Sequence, residues 1–258
     1  MPAKNEAVIR VFTKEDDKLA RFMVSKSNFQ MLAVANFKIY THPVMIAIWL
    51  GLSSIMIQYL QWWPASKYGW LEFLKPLPSM AAVAVPLMFA VDWFNRPEFE
   101  EHTKKVLRRN DLKDIQKHYN ADPASGFFIL ELGETFIGLI AIDASQPTRK
   151  PAKGETRPPK TAIIRHFHVE EAYQKVNIQG DLLKCAVDHA FTKDPKLQRI
   201  EAADSPLAAY LRPCLREAGF ELDHHTTTIG MLRWKLGARV LERKRWEEKA
   251  KEEPTVLI

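Results

Sequence analysis

The sequence predicts an α/β fold, strands alternating with helices, interrupted early by a two-segment transmembrane helical hairpin. Three observations carry this. Pro43–Pro64 (PVMIAIWLGLSSIMIQYLQWWP) contains no charged residue, and ~20 apolar residues are enough to cross a bilayer core as a helix. A second uncharged block follows at Pro76–Val91. On both sides of these blocks, short runs of β-forming residues alternate with segments of helical period.

Length and charge set the frame. A chain of 258 residues holds one domain of moderate size plus accessory segments. The net charge of +6 is mild. Its excess lies beside the apolar blocks and in one Pro/Lys-rich loop, a placement that suits anionic lipid headgroups. Without a recognition motif or an arginine-rich helix, no nucleic-acid partner is expected. Cys185 and Cys214 match no zinc or redox spacing. They read as buried thiols in a reducing compartment, and no metal site is expected. The first thirty residues carry Lys14, Glu15, Asp16, Asp17, Lys18 and Arg21 without an apolar core segment, which argues against a cleaved secretory signal.

In chain order, Ala7–Thr13 alternates and reads as a strand. Lys14–Ser25 follows with Leu19, Phe22 and Met23 at helical spacing. The first apolar block ends in Trp62 and Trp63, with Trp70 close behind, as in an interfacial aromatic belt. The second block is shorter and contains Pro86, so a tilted or re-entrant segment is the alternative to a full span. A pair of buried core helices is the bland alternative for both blocks. It fits poorly, because the first block lacks the polar stripe of such helices. Lys26 and Lys38 precede the hairpin; Arg96, Lys104, Lys105, Arg108 and Arg109 follow it. The connecting loop has only Lys67, Lys75 and Glu72, so the positive-inside rule places both ends in the cytosol.

Beyond the hairpin, Arg96–Tyr119 reads as a polar helix, and Gly126–Leu132 with Thr135–Asp143 as two strands around Gly133-Glu134. Residues Ser145–Lys160 (SQPTRKPAKGETRPPK) read as a flexible basic loop. Ala162–Val169 is a strand, Ile178–Phe191 a helix with Leu182, Leu183 and Ala186 on one face, and Gln198–Ala203 a strand. Pro206–Glu217 reads as a helix stopped by Gly219-Phe220. A single strand is expected over Thr226–Leu236 and a charged, solvated helix over Arg239–Glu253. The expected divisions are 1–40, the hairpin 41–95, the remainder of the domain 96–238 with its loop 145–160, and the terminal helix 239–258.

Candidate chemistry centres on Ala162–Val169. His166 and His168 alternate with Arg165 and Phe167 and so share one face of the strand. A histidine titrates near neutrality and suits general-base work, although a hydrogen-bonded structural role is the plainer reading. Glu170 and Glu171 stand at the strand's end. His224-His225 either lines an acceptor site or forms an exposed loop pair.

Three stretches carry a family resemblance: FFILELGETFIGLIAID, HFHVEEAYQKVNIQGDLLKCAVDHAF and RIEAADSPLAAYLRPCLREAGFEL. With the order of elements, they resemble the GCN5-related N-acetyltransferase (GNAT) superfamily, and within it the membrane-anchored, camello-like N-acetyltransferases. The similarity spans about residues 7–30 and 97–236. It implies a GNAT-like mixed sheet flanked by helices, with acetyl-CoA as co-substrate. It implies an amine acceptor, small molecule or protein, beside membrane lipid. Val169, Gln174, Lys175, Asn177, Gln179, Gly180 and Asp181 would bind the cofactor, and His166, His168 and Glu170 would be the candidate bases. The setting implied is an endomembrane, the endoplasmic reticulum, with the soluble domain facing the cytosol.

Two departures from the family pattern stand out. Asn177 and Gln179 occupy positions where the family has glycines, and Leu215 stands where a proton-donating Tyr is usual. Tyr210, a turn or more earlier on the expected helix, would point elsewhere. These departures favour a second function. The chain also looks similar in outline to fungal endoplasmic-reticulum proteins that package a phosphate transporter for export. The alternative is thus a non-catalytic GNAT-fold membrane factor assisting export of a membrane-protein client.

Overall fold

The computed structural model describes residues 7–64, 69–145 and 160–252. Of the expected basic loop, residues 146–159 lie outside the described residues, as do 253–258 of the terminal segment. Strand β1 (Ala7–Val11) leads into helices α1 (Asp17–Tyr40), α2 (Pro43–Leu60) and α3 (Leu77–Leu107), then the short α4 (Asn110–Lys113) and α5 (Ile115–Tyr119). Strands β2 (Gly126–Leu132), β3 (Thr135–Asp143) and β4 (Thr161–Val169) follow, then α6 (Ile178–Lys193), β5 (Arg199–Asp204) and α7 (Leu211–Glu217). The chain closes with β6 (Glu221–Ile229), β7 (Trp234–Glu242) and α8 (Arg243–Glu252). The strands form one mixed sheet in the order β1-β2-β3-β4-β5-β7-β6, antiparallel except where β4 meets β5.

Local chemistry explains the first hairpin. Gly133 takes φ +62 at the turn between β2 and β3, a conformation that costs glycine little. The two strands are apolar on both sides because both sheet faces are covered. One face packs Leu182, Leu183, Ala186 and Phe191 of α6 against Ile140 and Ile142. The opposite face packs Met23 of α1 and Ile115 and Tyr119 of α5 against Phe127 and Leu139. Arg10 fastens β1 to both neighbours, reaching Asp16 at 2.7 Å and Glu131 at 2.6 Å.

The helical region departs from expectation in two ways and agrees with it in a third. Helix α1 runs on past Ser25 to Tyr40. Polar residues on its inner side find partners: the Asn28 side chain donates to Val24 O at 2.9 Å. The second apolar block and the charged segment after it form one continuous helix, α3, with Pro86 and Pro97 inside it. Each proline removes one intrahelical hydrogen bond, and packing of α1 and α2 along α3 offsets the loss. Finally, α2 and α3 are not core helices. Only 11% of each apolar window is buried, and Ile55, Tyr59, Val85, Phe89, Trp93 and Phe94 face outward.

The last strands also differ from the expected single strand at 226–236. Gly230 (φ +76) and Arg233 (φ +51) turn the chain between β6 and β7, and Gly230 has no room for a Cβ beside the Trp234 ring. The turn is anchored on α3. Gly230 N donates to Glu98 Oε2 at 2.9 Å, and Met231 N donates to Asn95 Oδ1 at 2.8 Å. Asn95 also donates to Asn36 Oδ1 of α1, and Asn36 donates to Asp92 Oδ1, both at 2.8 Å. The terminal helix therefore begins at Arg243, after β7, instead of at Arg239.

Asn95 is fully buried and joins three elements. Its replacement by Ala leaves the Met231 N–H and the Asn36 oxygen without partners. The expected cost is about 1–3 kcal/mol per group, read as a lower thermal midpoint, whereas Arg96→Ala on the exposed side of α3 leaves the midpoint nearly unchanged.

Candidate functional site

The site begins with a loss of strand pairing. β4 pairs in parallel with β5 only from Thr161↔Arg199 to Ile164↔Ala202, and beyond Ile164 the two strands part. The parting coincides with a register shift against β3: Ala141 faces His166 while the next residue, Ile142, faces Ile164, so Arg165 is extra. An extra residue bends a strand and re-aims the side chains beyond it. Ile164 accordingly lies in the α6-side core. His166 and His168 stand across from Ala141 and Leu139, which belong to the α1-side core. The shared face expected for the two histidines is present. It is opposite to that of Ala162 and Ile164, which simple alternation would have placed with them.

The backbone at the end of β4 points into the opening. Glu170 N donates to Ile137 O of β3 at 2.8 Å, so the preceding amide of Val169 faces away from β3. The Tyr210 hydroxyl stands close enough to its N–H to feel it. Its carbonyl accepts from Gln174 Nε2 at 2.8 Å. The Tyr210 oxygen also lies 3.3 Å from His168 Nδ1. A single helix over Pro206–Glu217 would point Tyr210 elsewhere, and here the expectation is corrected. The helix starts only at Leu211, and the turns before it bring Tyr210 back against β4.

The three candidate bases have different surroundings. His168 is 1% exposed, and its Nε2 is buried with no hydrogen-bond partner. Burial pushes its pKa down to about 4, against a weaker upward pull from Glu170, so the ring is neutral at pH 7. His166 is also buried, with Nε2 at 2.8 Å from Asp111 Oδ2, an oxygen that also accepts from the Tyr119 hydroxyl at 3.2 Å. Burial would raise the Asp111 carboxyl, but the hydrogen bond from His166 helps hold it below its ordinary value. Glu170 is engaged by Lys26, whose Nζ lies 2.6 and 2.7 Å from its two oxygens. Asp111 carried no sequence signal. It acts from a four-residue helix, 55 positions from the histidine it holds.

A cavity of about 210 Å³ opens on this face. Asn28 and Met31 of α1, His102 of α3, Arg109 just before α4, and His166 and His168 of β4 line it. Leu215 lies in the same wall, buried and apolar. His224 and His225 stand exposed on β6, outside the lining.

The loop from Glu170 to Gly180 closes the other side of the opening. Asn177 adopts the left-handed conformation (φ +57) that the asparagine allows, and α6 starts on it. Gln179 is 5% exposed, and its Nε2 reaches back to Gln174 O at 3.2 Å and Asn177 Oδ1 at 3.3 Å. Its Oε1 is buried without a partner. Gly180 N donates to Asn177 O, while Lys175 and Asp181 are exposed. Coenzyme A presents amides on one arm and a pyrophosphate beyond them. The Val169 N–H suits an amide carbonyl as one strand edge suits another, although its C=O is already held by Gln174, and the N-terminus of α6 suits an anion. At that helix end the Gln179 side chain takes the place a glycine would leave open, and Asp181 adds a like charge.

The model of the Acetyltransferase (GNAT) family matches residues 87–220 of the chain. Among solved structures, spermidine N-acetyltransferase from Vibrio cholerae, in complex with CoA and spermine, is similar at 12% identity with a TM-score of 0.48, covering 93% of this chain and 98% of that one. The ribosomal-protein-S5-alanine acetyltransferase from Vibrio fischeri is similar at 11% identity with a TM-score of 0.44, covering 93% and 94%. No curated protein matches the chain.

The burial of His168 has a stability consequence. Its folded pKa lies near 4, below the ordinary histidine value, so the unfolded chain binds the extra proton first. Stability therefore falls as pH drops from about 6.5 toward 4. Replacing His168 by Gln should shrink the difference in unfolding free energy between pH 7 and pH 4.5 by on the order of 1–3 kcal/mol, measured by denaturant titration at both pH values.

Proposed function

The chain belongs to the acetyltransferase (GNAT) family, and on that premise we propose that it is a membrane-anchored N-acetyltransferase carrying acetyl groups from acetyl-CoA to an amine acceptor. The observation that carries this reading is the meeting of three groups at one point. The Val169 N–H, the Tyr210 hydroxyl and the neutral His168 ring gather where β4 leaves β5. Acetyl-CoA, when bound, supplies the activated acetyl group. The protein's task is to orient an amine, accept its proton and protonate the departing sulfur. The phenol, whose pKa burial raises to about 12, carries its proton at neutral pH and so has one to give. The cavity on the α1 face has room for the amine end of an acceptor.

The anchor forms part of the proposal. Helices α2 and α3 are each long and apolar enough to cross a membrane by length and composition, and they turn large apolar side chains outward. Lys38, Arg96, Lys104 and Lys105 flank the pair, which favours a cytosolic domain with the short loop on the far side. The proposed setting is the endoplasmic-reticulum membrane. Since α1 and α3 both line the cavity, the acceptor would meet the enzyme beside the bilayer, within reach of membrane-embedded or lipid-soluble amines.

Two observations support a second reading, a non-catalytic membrane factor that keeps the fold. Gln179 folds over the cofactor loop with an unpartnered oxygen, and Leu215 offers no proton. Titration of the detergent-solubilised protein with acetyl-CoA separates the two. A transferase binds it saturably, acetylates an amine with release of free thiol, and loses binding on Gln174→Ala. No binding at millimolar acetyl-CoA sinks the transferase. Gln179→Gly, which clears the loop, should tighten acetyl-CoA binding by about tenfold or less. Alkaline extraction tests the anchor: the protein should stay with the membrane pellet, and its appearance in the supernatant would contradict spanning.

A further inference from the structure

We propose that His168 and Tyr210 form a two-residue proton relay joining the acceptor cavity to the cofactor side of the sheet opening. The proposal rests on the transferase reading and deepens it: one chain of hydrogen bonds would do the work of both the base and the acid. Three features of the geometry point to it. The turns before α7 set the Tyr210 hydroxyl beside the Val169 N–H at the strand end. The same oxygen lies 3.3 Å from His168 Nδ1. The other nitrogen of that ring, Nε2, is buried and unpartnered in a side chain that lines the cavity. A buried polar atom without a partner needs a reason, and a proton-accepting position behind the cavity wall would be one.

The charged and titratable groups around the ring leave this role to His168. Lys26 of α1 and Glu170 beyond β4 neutralise each other. His166 holds Asp111 through Nε2, and no hydrogen bond links it to Tyr210 among the described residues. His102 of α3 and Arg109 just before α4 line the cavity and are cationic or neutral, so they offer no carboxylate base. Burial keeps the His168 ring uncharged, which makes it a poor store for a proton and a suitable conduit.

Two arrangements of the same heavy atoms are available. In the first, His168 Nδ1–H donates to Tyr210, and Nε2, buried in a ring that lines the cavity, is bare. In the second, the Tyr210 hydroxyl donates to Nδ1, and Nε2 carries the proton. An acceptor ammonium loses one proton to solvent before reaction. As its nitrogen bonds to the acetyl carbon and the carbon–sulfur bond breaks, its second proton passes to Nε2. Nδ1 then gives its proton to Tyr210, and the Tyr210 hydroxyl gives its own to sulfur. This converts the first arrangement into the second with protons balanced. Solvent in the emptied cavity restores the starting tautomer.

The test combines spectroscopy with kinetics on the full-length protein in detergent. In nitrogen-15 spectra of labelled histidine, wild-type His168 should remain neutral at pH 6 in one dominant tautomer, and Tyr210→Phe should remove that bias. For acetyl transfer, His168→Gln and Tyr210→Phe should each lower kcat by about 100-fold or more. The double variant should be no slower than the worse single one. Wild type should give a curved proton inventory, and both single variants a straight one. Losses that multiply in the double variant overturn the relay and leave the transferase standing. So does an imidazolium at pH 6, or a tautomer indifferent to Tyr210→Phe. An intact spectral signature without acetylation of any amine overturns the transferase reading, and the relay with it.

Discussion

The point at which β4 stops pairing with β5 governs the rest of the molecule. Four pairs of parallel register, Thr161↔Arg199 to Ile164↔Ala202, hold the sheet's two halves together, and there the contact ends. The extra residue at Arg165 sets the end point, because a strand carrying a bulge cannot stay in step with a straight neighbour. Without the parting, the amide of Val169 would be consumed in the sheet. With it, the amide faces an opening flanked by one helix N-terminus and by two side chains able to move protons. Arg165 itself does not hang free: its Nε lies 3.2 Å from the buried carboxylate of Asp143, which is also 3.2 Å from His118 Nε2. The bulge is thus held from behind by charge as well as by packing.

The second constraint is how the apolar hairpin connects to the domain. Helices α1 and α3 belong to both. Their outer stretches carry exposed apolar side chains, while their inner stretches pack on the sheet and line the cavity. The hydrogen-bonded chain Asp92–Asn36–Asn95–Met231, buried at its centre, ties the pair to the β6–β7 turn. A tilt of the hairpin relative to the sheet would break these bonds, and the central Asn36–Asn95 pair, which cannot reach water, would cost about 1–3 kcal/mol. The apolar hairpin and the cavity are therefore expected to move as one body.

Much of this is legible in the residues. The β2–β3 hairpin, α6 and the two apolar helices follow from periodicity, Gly133 and the absence of charge. The common face of His166 and His168 follows from alternation. Other features need the third dimension. Lys26, Ser27 and Asn28 interrupt the apolar face of α1 and suggest an end at Ser25, yet Asn28 satisfies its amide within the helix and the helix continues. β6 carries DHHTTT with no apolar alternation, being exposed on both faces and held by β7 along one edge. The direction of Tyr210 depends on where α7 begins, a matter of one or two turns that composition does not encode. Asp111 could not be found at all, since its value comes only from proximity to His166.

The departures from the family pattern in the loop before α6 have a physical description. Asn177 supplies the backbone conformation that a glycine would, so its substitution is mild. Gln179 differs, because it puts a side chain and a buried, unpartnered oxygen at the start of α6. The most direct measurement of the central claim is backbone hydrogen exchange with and without acetyl-CoA. If the opening between β4 and β5 is the acyl-donor site, added acetyl-CoA should slow exchange at 165–182 and leave the exposed strand β6 unchanged. Unaltered exchange over 165–182 at saturating acetyl-CoA, or protection confined to another part of the sheet, would contradict the account.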